Sequence, residues 1–144
     1  DFMAKPGHWM EWISDWGGTA TAGPNFSWVL ATRALGRMQG LDLSTLTLAL
    51  SGAEPVDPTA VEAFVRAAEP FGFKAGGVFP AFGMAEVAIG GAFPPRHRGM
   101  VVELPGGYRG IGAPVKLSRT PASYRHAPLA EGTHFLPREA ANDG

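Results

Sequence analysis

Three short strand-like runs alternate with two amphipathic helical segments, and this alternation constrains the fold more than any other feature of the chain. The strand candidates are residues 19–22, 45–50 and 74–79. The central one, Thr-Leu-Thr-Leu-Ala-Leu, has the period-2 pattern of a strand and stops at Ser51-Gly52, a turn signal. The third is weakened by Gly76-Gly77. Between them lie two helical patterns. Residues 25–38 follow Pro24, with Asn25 as N-cap candidate, Phe26, Val29, Leu30 and Ala34 in helical period, and Gly40 as a stop. Residues 58–70 begin with Pro58 and repeat Val61, Phe64, Val65 and Ala68. Strands separated by helices of this length predict βαβ units, hence an α/β fold with a mostly parallel sheet flanked by helices. A further helix is expected over 8–16, where Trp9, Trp12, Ile13 and Trp16 share one face, predicted to pack into the core. A short helix is expected near Gly83, running through Met84, Ala85, Glu86 and Val87.

Ligands of parallel sheets bind at the carboxyl ends of the strands. That directs attention to two loops. The first is Ser51-Gly52-Ala53-Glu54-Pro55-Val56, whose small residues let a flat ligand approach the backbone. The plainer reading is a tight strand-to-helix turn. The second is Phe79-Pro80-Ala81-Phe82-Gly83-Met84-Ala85-Glu86. Phe82 offers a ring face, and Gly83 allows close approach to a phosphate. Glu86 is the only acid between Glu69 and Glu103. A carboxylate in so apolar a stretch must be solvated, paired or bound to a cation, and Mg²⁺ beside phosphates is one solution. The plainer reading is an exposed position or a salt bridge.

Composition excludes several classes. The chain has 144 residues, a net charge of −1 and no cysteine. There is no disulfide framework, no thiolate metal site and no Cys nucleophile. With near-neutral charge and no basic-aromatic stripe, nothing points to nucleic acid. No apolar run is long enough for a membrane span, and no leader pattern opens the chain, so a cytoplasmic location is expected. His97, His126 and His134 are irregularly spaced and read as surface histidines, and Arg96-His97-Arg98 as a short solvated basic run.

The pair Ser-Gly-Ala-Glu-Pro-Val and Phe-Pro-Ala-Phe-Gly-Met-Ala-Glu-Val-Ala-Ile, 30 residues apart with an amphipathic helix between, resembles the adenylate-forming enzyme superfamily. The similarity is closest to the fatty acyl-AMP ligases and the long-chain acyl-CoA synthetases. Upstream, residues 20–26 (Ala-Thr-Ala-Gly-Pro-Asn-Phe) and 41–44 (Leu-Asp-Leu-Ser) fit the same order, and the match covers about residues 2–100. The resemblance implies that Gly52, Ala53, Glu54 and Pro55 line an adenine slot bordered by Phe82, Gly83, Met84 and Ala85. It implies that Glu86 helps hold Mg²⁺ at the phosphates of ATP. It sets Asn25, Phe26 and Trp28 near an acyl-chain tunnel. Phe82 stands where relatives usually carry Tyr, and Ala85 where many carry a phosphate-contacting Thr.

The activity so implied is acyl-adenylate formation from a fatty acid and ATP, with ATP/AMP and Mg²⁺ as cofactors. Transfer to the phosphopantetheine thiol of an acyl carrier protein or of coenzyme A follows. The family's Ser/Thr/Gly-rich phosphate loop and its catalytic Lys have no counterpart in the sequence. The chain is therefore expected to be an internal slice of the large N-terminal domain, inactive in isolation. Residues 1–103 are expected to form a partial AMP-binding domain, and residues 104–144 a divergent, loop-rich tail. The alternative is a non-catalytic α/β nucleotide-binding or structural domain.

Overall fold

A computed structural model describes residues 2–104 and 108–109. The order is α1 (Gly7–Trp16), β1 (Ala20–Gly23), α2 (Asn25–Leu35), β2 (Leu48–Ser51), α3 (Pro58–Ala68), β3 (Val78–Pro80), β4 (Glu103–Leu104) and β5 (Tyr108–Arg109). β1, β2 and β3 form a parallel sheet in that order, with Gly23 level with Ser51 and Ser51 level with Pro80. All three strands therefore end at one height, and their outgoing loops cluster there. β4 and β5 form a separate antiparallel pair. The expected tail beyond residue 109 lies outside the described residues.

The helices cover one face of the sheet. Along β2, Ala49 and Ser51 are buried while Leu48 and Leu50 are half-buried. The buried face receives α2 and α3, which pack on each other. A line of aromatic rings runs through this layer: Trp9 on Trp28 (5.1 Å between centroids), Trp28 on Phe64 (4.8 Å) and Phe64 on Phe73 (5.4 Å). Met10, Ile13, Ala31, Leu35, Leu43, Leu46, Val61 and Val78 complete the core. α3 has the clearest start signal. The Asp57 carboxylate accepts from the Thr59 N–H at 2.8 Å, and Pro58 occupies the first turn, where its missing N–H costs nothing.

Several boundaries differ from expectation. Asn25 is the first residue of α2, and Pro24 takes the cap position. The helix ends at Leu35, because beyond Gly36 the chain tightens into bonds from Arg37 to Ala34 and from Met38 to Leu35. β3 is shorter than predicted, since Ala75–Gly77 makes a 3₁₀ turn closed from Gly77 N–H to the Lys74 carbonyl. The helix expected from Gly83 is only a 3₁₀ turn over Ala85–Val87. The tryptophan stripe of α1 is only partly buried. The buried arc is centred on Met10 and Ile13, whereas Trp12 and Trp16 are 61% and 85% exposed. Trp9 joins the helix to the sheet through its indole N–H, which donates to Thr21 Oγ1 at 2.8 Å. No helix among the described residues is long and apolar enough to cross a membrane.

Candidate functional site

The carboxyl ends of the three parallel strands open into one cavity of about 730 Å³. Its first wall is Ala22, Gly23 and Pro24, where β1 turns into α2. Its second is Leu50, Gly52 and Ala53, leaving β2, and its third is residues 81–85, leaving β3. Ala88, Ile89, Gly90 and Phe93 close the rim. None of these lining residues bears a charged side chain. Polar recognition inside must come from backbone N–H and C=O groups.

Each wall has a local cause. Gly52 is buried, and a Cβ there would come within 2.9 Å of the Ala81 carbonyl oxygen, so only glycine permits the two loops to lie this close. Ala81 N–H donates to the Ser51 carbonyl at 2.9 Å, which carries the β2–β3 pairing one residue past β3. Ala53 has φ +68°, a left-handed conformation that an alanine adopts only against a steric penalty. The third wall closes on itself. Phe82 and Ala92 exchange backbone bonds of 3.0 and 2.9 Å, and Phe93 stacks on Phe79 with ring centroids 5.8 Å apart. Within that loop a Cβ on Gly83 would collide with the Ile89 carbonyl. Ala88 and Ile89 both have positive φ there, which for a β-branched Ile is a conformational outlier.

The anticipated residues divide into three groups. Gly52, Ala53, Phe82, Gly83, Met84 and Ala85 line the cavity together. Phe82 is 56% exposed, so a ring face is free to meet a ligand. Glu86 follows directly and is exposed. Mg²⁺ is commonly held by one or two carboxylates with phosphate oxygens and waters completing the shell, and one exposed carboxylate beside the lining loop fits that requirement. Among the described residues no three His, Cys, Asp or Glu side chains gather closely enough to hold a metal by themselves. Glu54, Pro55, Asn25, Phe26 and Trp28 stand apart from the cavity lining. Trp28 is a core residue, 1% exposed, whose indole N–H donates to Ser51 Oγ at 3.1 Å. Phe26 is half exposed, its ring edge-on to Phe2. Asn25 bonds to both Glu54 and Pro55, its backbone N–H donating to Glu54 Oε1 at 2.7 Å and its Nδ2 to the Pro55 carbonyl at 2.8 Å.

Residues 22–24 and Ile89 stand in motifs read from the sequence without an assigned place at the site, and Leu50, Gly90 and Phe93 line the cavity outside those motifs. For 22–24 the signal existed, since Ala22 ends a predicted strand and Gly23 and Pro24 follow it. For Phe93 none did, because its place depends on the Phe82–Ala92 closure. The assembled site offers a flat, apolar slot walled by backbone, with a carboxylate next to its rim. Among the described residues, its lining holds small and apolar side chains whose contribution is binding and orientation.

No protein-family profile matches the chain. Known sequences do. The protein Rv1013 of Mycobacterium tuberculosis, which carries a ligase name, is 42% identical over 106 residues, covering 72% of this chain and 20% of that protein. The medium-chain-fatty-acid acyl-carrier-protein ligase JamA of Moorena producens is 39% identical over 90 residues, 61% of this chain and 15% of its own. Among solved structures, a fatty acyl-adenylate ligase from work on the E. coli and L. pneumophila enzymes superposes with a TM-score of 0.64 at 29% identity. It covers 71% of this chain, which spans 19% of that structure. The adenylation domain of a keto acid-selecting NRPS module bound to keto acyl adenylate gives 0.61 at 33% identity, over 65% of this chain and 18% of that structure. The chain thus spans about one fifth or less of the length of these relatives. Over the residues matched, sequence and fold agree, and the chain belongs with the adenylate-forming ligases, on the side of the fatty acyl-AMP and acyl-CoA ligases.

Proposed function

We propose that these residues form the base-binding and metal-facing part of a ligase that joins a fatty or related carboxylic acid to ATP. The reaction would give acyl-AMP and pyrophosphate, and the acyl group would then pass to a phosphopantetheine thiol of a carrier protein or of coenzyme A. The observation that carries the reading is the convergence of Gly52-Ala53 and Phe82-Gly83 on one cavity at the carboxyl edge of a parallel sheet. Gly52 and Ala53 present backbone with nothing beyond Cβ, which suits the flat face and hydrogen-bonding edge of adenine. The Phe82 ring supplies the opposing apolar surface. Glu86 would hold Mg²⁺, whose charge offsets that of the phosphates as the acid's carboxylate approaches the α-phosphorus. The ligase names borne by the relatives support this assignment.

Two measurements test it. Amide resonances of the ¹⁵N-labelled chain, titrated with Mg-ATP, should shift at residues 52–54 and 82–86 and stay fixed on α1. Pyrophosphate release by the full open reading frame containing these residues should depend on added fatty acid and fall at least tenfold in Glu86→Gln. Nucleotide shifts without acid-dependent pyrophosphate release would instead favour the non-catalytic nucleotide-binding domain. Shifts confined elsewhere would refute the site.

A further inference from the structure

Asn25 makes three hydrogen bonds to a loop some 30 residues away. Its backbone N–H donates to Glu54 Oε1 at 2.7 Å, its side-chain Nδ2 donates to the Pro55 carbonyl at 2.8 Å, and its Oδ1 accepts from the Asp57 N–H at 2.9 Å. The side-chain amide thus acts as a strand residue would, satisfying a C=O and an N–H two positions apart. Only one orientation of the amide does both. The Glu54 carboxylate satisfies the first orphan N–H of α2 and places negative charge at the positive end of that helix.

The same loop contains Ala53, held at φ +68°, and Gly52, pressed on the Ala81 carbonyl. Gly52 and Ala53 face the cavity, whereas Glu54 and Pro55 are turned toward α2. A left-handed alanine persists only where its surroundings over-determine it. Asn25 and Glu54 supply that constraint on one side, and β3 supplies it on the other.

We infer that Asn25 and Glu54 are positioning residues, a brace that fixes the residue 52–57 loop against the first turn of α2, and that Glu54 does not touch the nucleotide. The functional half of this inference rests on the nucleotide reading above. Because Gly23 and Pro24 line the cavity just before Asn25, the brace also ties the first wall to the second.

Hydrogen exchange on the full chain tests the brace without any ligand. In Asn25→Ala the Asp57 amide should exchange at least tenfold faster, and in Glu54→Ala the amide of residue 25 should do the same. The amides of Phe64 and Val65 in α3 should not change. Glu54→Gln, which keeps an acceptor, should retain most of the protection and serves where Glu54→Ala fails to fold. Asn25→Asp, which sets a carboxylate oxygen against the Pro55 carbonyl, should behave like Asn25→Ala. The nucleotide arm follows Mg-ATP affinity by amide shifts. Asn25→Ala should weaken it fivefold or more, and Glu54→Gln less than twofold. Unchanged exchange at Asp57 and residue 25 would overturn the brace. Faster exchange throughout α3 would reduce it to general instability and overturn it too. Loss of affinity in Glu54→Gln with exchange intact would make Glu54 a ligand contact, contrary to the inference. A wild-type chain that fails to respond to Mg-ATP would defeat the nucleotide reading and the functional half with it, while the exchange data would still decide the brace.

Discussion

Replacing Trp28 by phenylalanine removes one hydrogen bond and part of one ring from the centre of the structure. The indole is 1% exposed, lies on Phe64 and Trp9, and donates to Ser51 Oγ at 3.1 Å. Losing about 40 Å³ of ring at about 24 cal/mol per Å³ of cavity costs roughly 1 kcal/mol. Ser51, also 1% exposed, then keeps a buried hydroxyl without its donor, at a cost of about 1–3 kcal/mol. Together the substitution should destabilise the chain by about 2–4 kcal/mol. Ser51→Ala alone orphans the indole N–H and should cost about 1–3 kcal/mol. The double variant has neither orphan, so it should be more stable than the sum of the singles implies, by about 1–2 kcal/mol. Urea denaturation followed by far-ultraviolet circular dichroism gives all four free energies. Additivity within about 0.5 kcal/mol would mean that the two groups do not interact, and would refute a stabilising bond between Trp28 and Ser51.

Three smaller predictions accompany it. Asp57→Ala removes the cap of α3 and should cost about 1 kcal/mol in the same denaturation experiment, with Asp57→Ser recovering most of it. Ala53→Gly releases a left-handed alanine and should raise stability by up to about 1 kcal/mol, and a loss of stability would show that the conformation carries no strain. Asp42 accepts from the side chain and the backbone N–H of Ser44, and these bonds hold its carboxyl below the usual aspartate value. A lowered folded pKa means a contribution present above the unfolded pKa and lost as pH falls through the folded one. The Asp42 carboxyl resonance should therefore titrate below an unstructured aspartate, and Ser44→Ala should move it upward.

Some of this architecture can be read from residue order and some cannot. The α3 helix is legible because Asp57, Pro58 and the spacing of Val61, Phe64 and Ala68 agree with one another. The central strand is legible for a similar reason, although pairing begins only at Leu48. Lys74 to Gly77 misleads, since two glycines allow a turn where the strand pattern starts. The α1 face misleads in a different way. Periodicity fixes which residues share a side, but the depth of burial depends on what the helix packs against. At the site, the small residues of both loops are legible, because their chemistry is carried by the absence of side chain. The bonds from Asn25 to Glu54, Pro55 and Asp57 are not, since no local pattern announces a partner 29 to 32 positions away. Trp28 is similarly opaque, as its neighbourhood to Ser51 arises only once α2 lies across the sheet.

The four tryptophans have a spectroscopic consequence. Trp12 and Trp16 face water, Trp28 is enclosed, and Trp9 lies half-covered against Trp28 with its centre 5.1 Å away. The emission of the folded chain is therefore a sum of a red-shifted pair open to collisional quenchers and a blue-shifted, electronically coupled pair shielded from them. Acrylamide should silence the first pair while leaving the second bright. On unfolding, the shielded pair alone moves to longer wavelength, so one spectrum contains both a reporter of the core and its own internal standard.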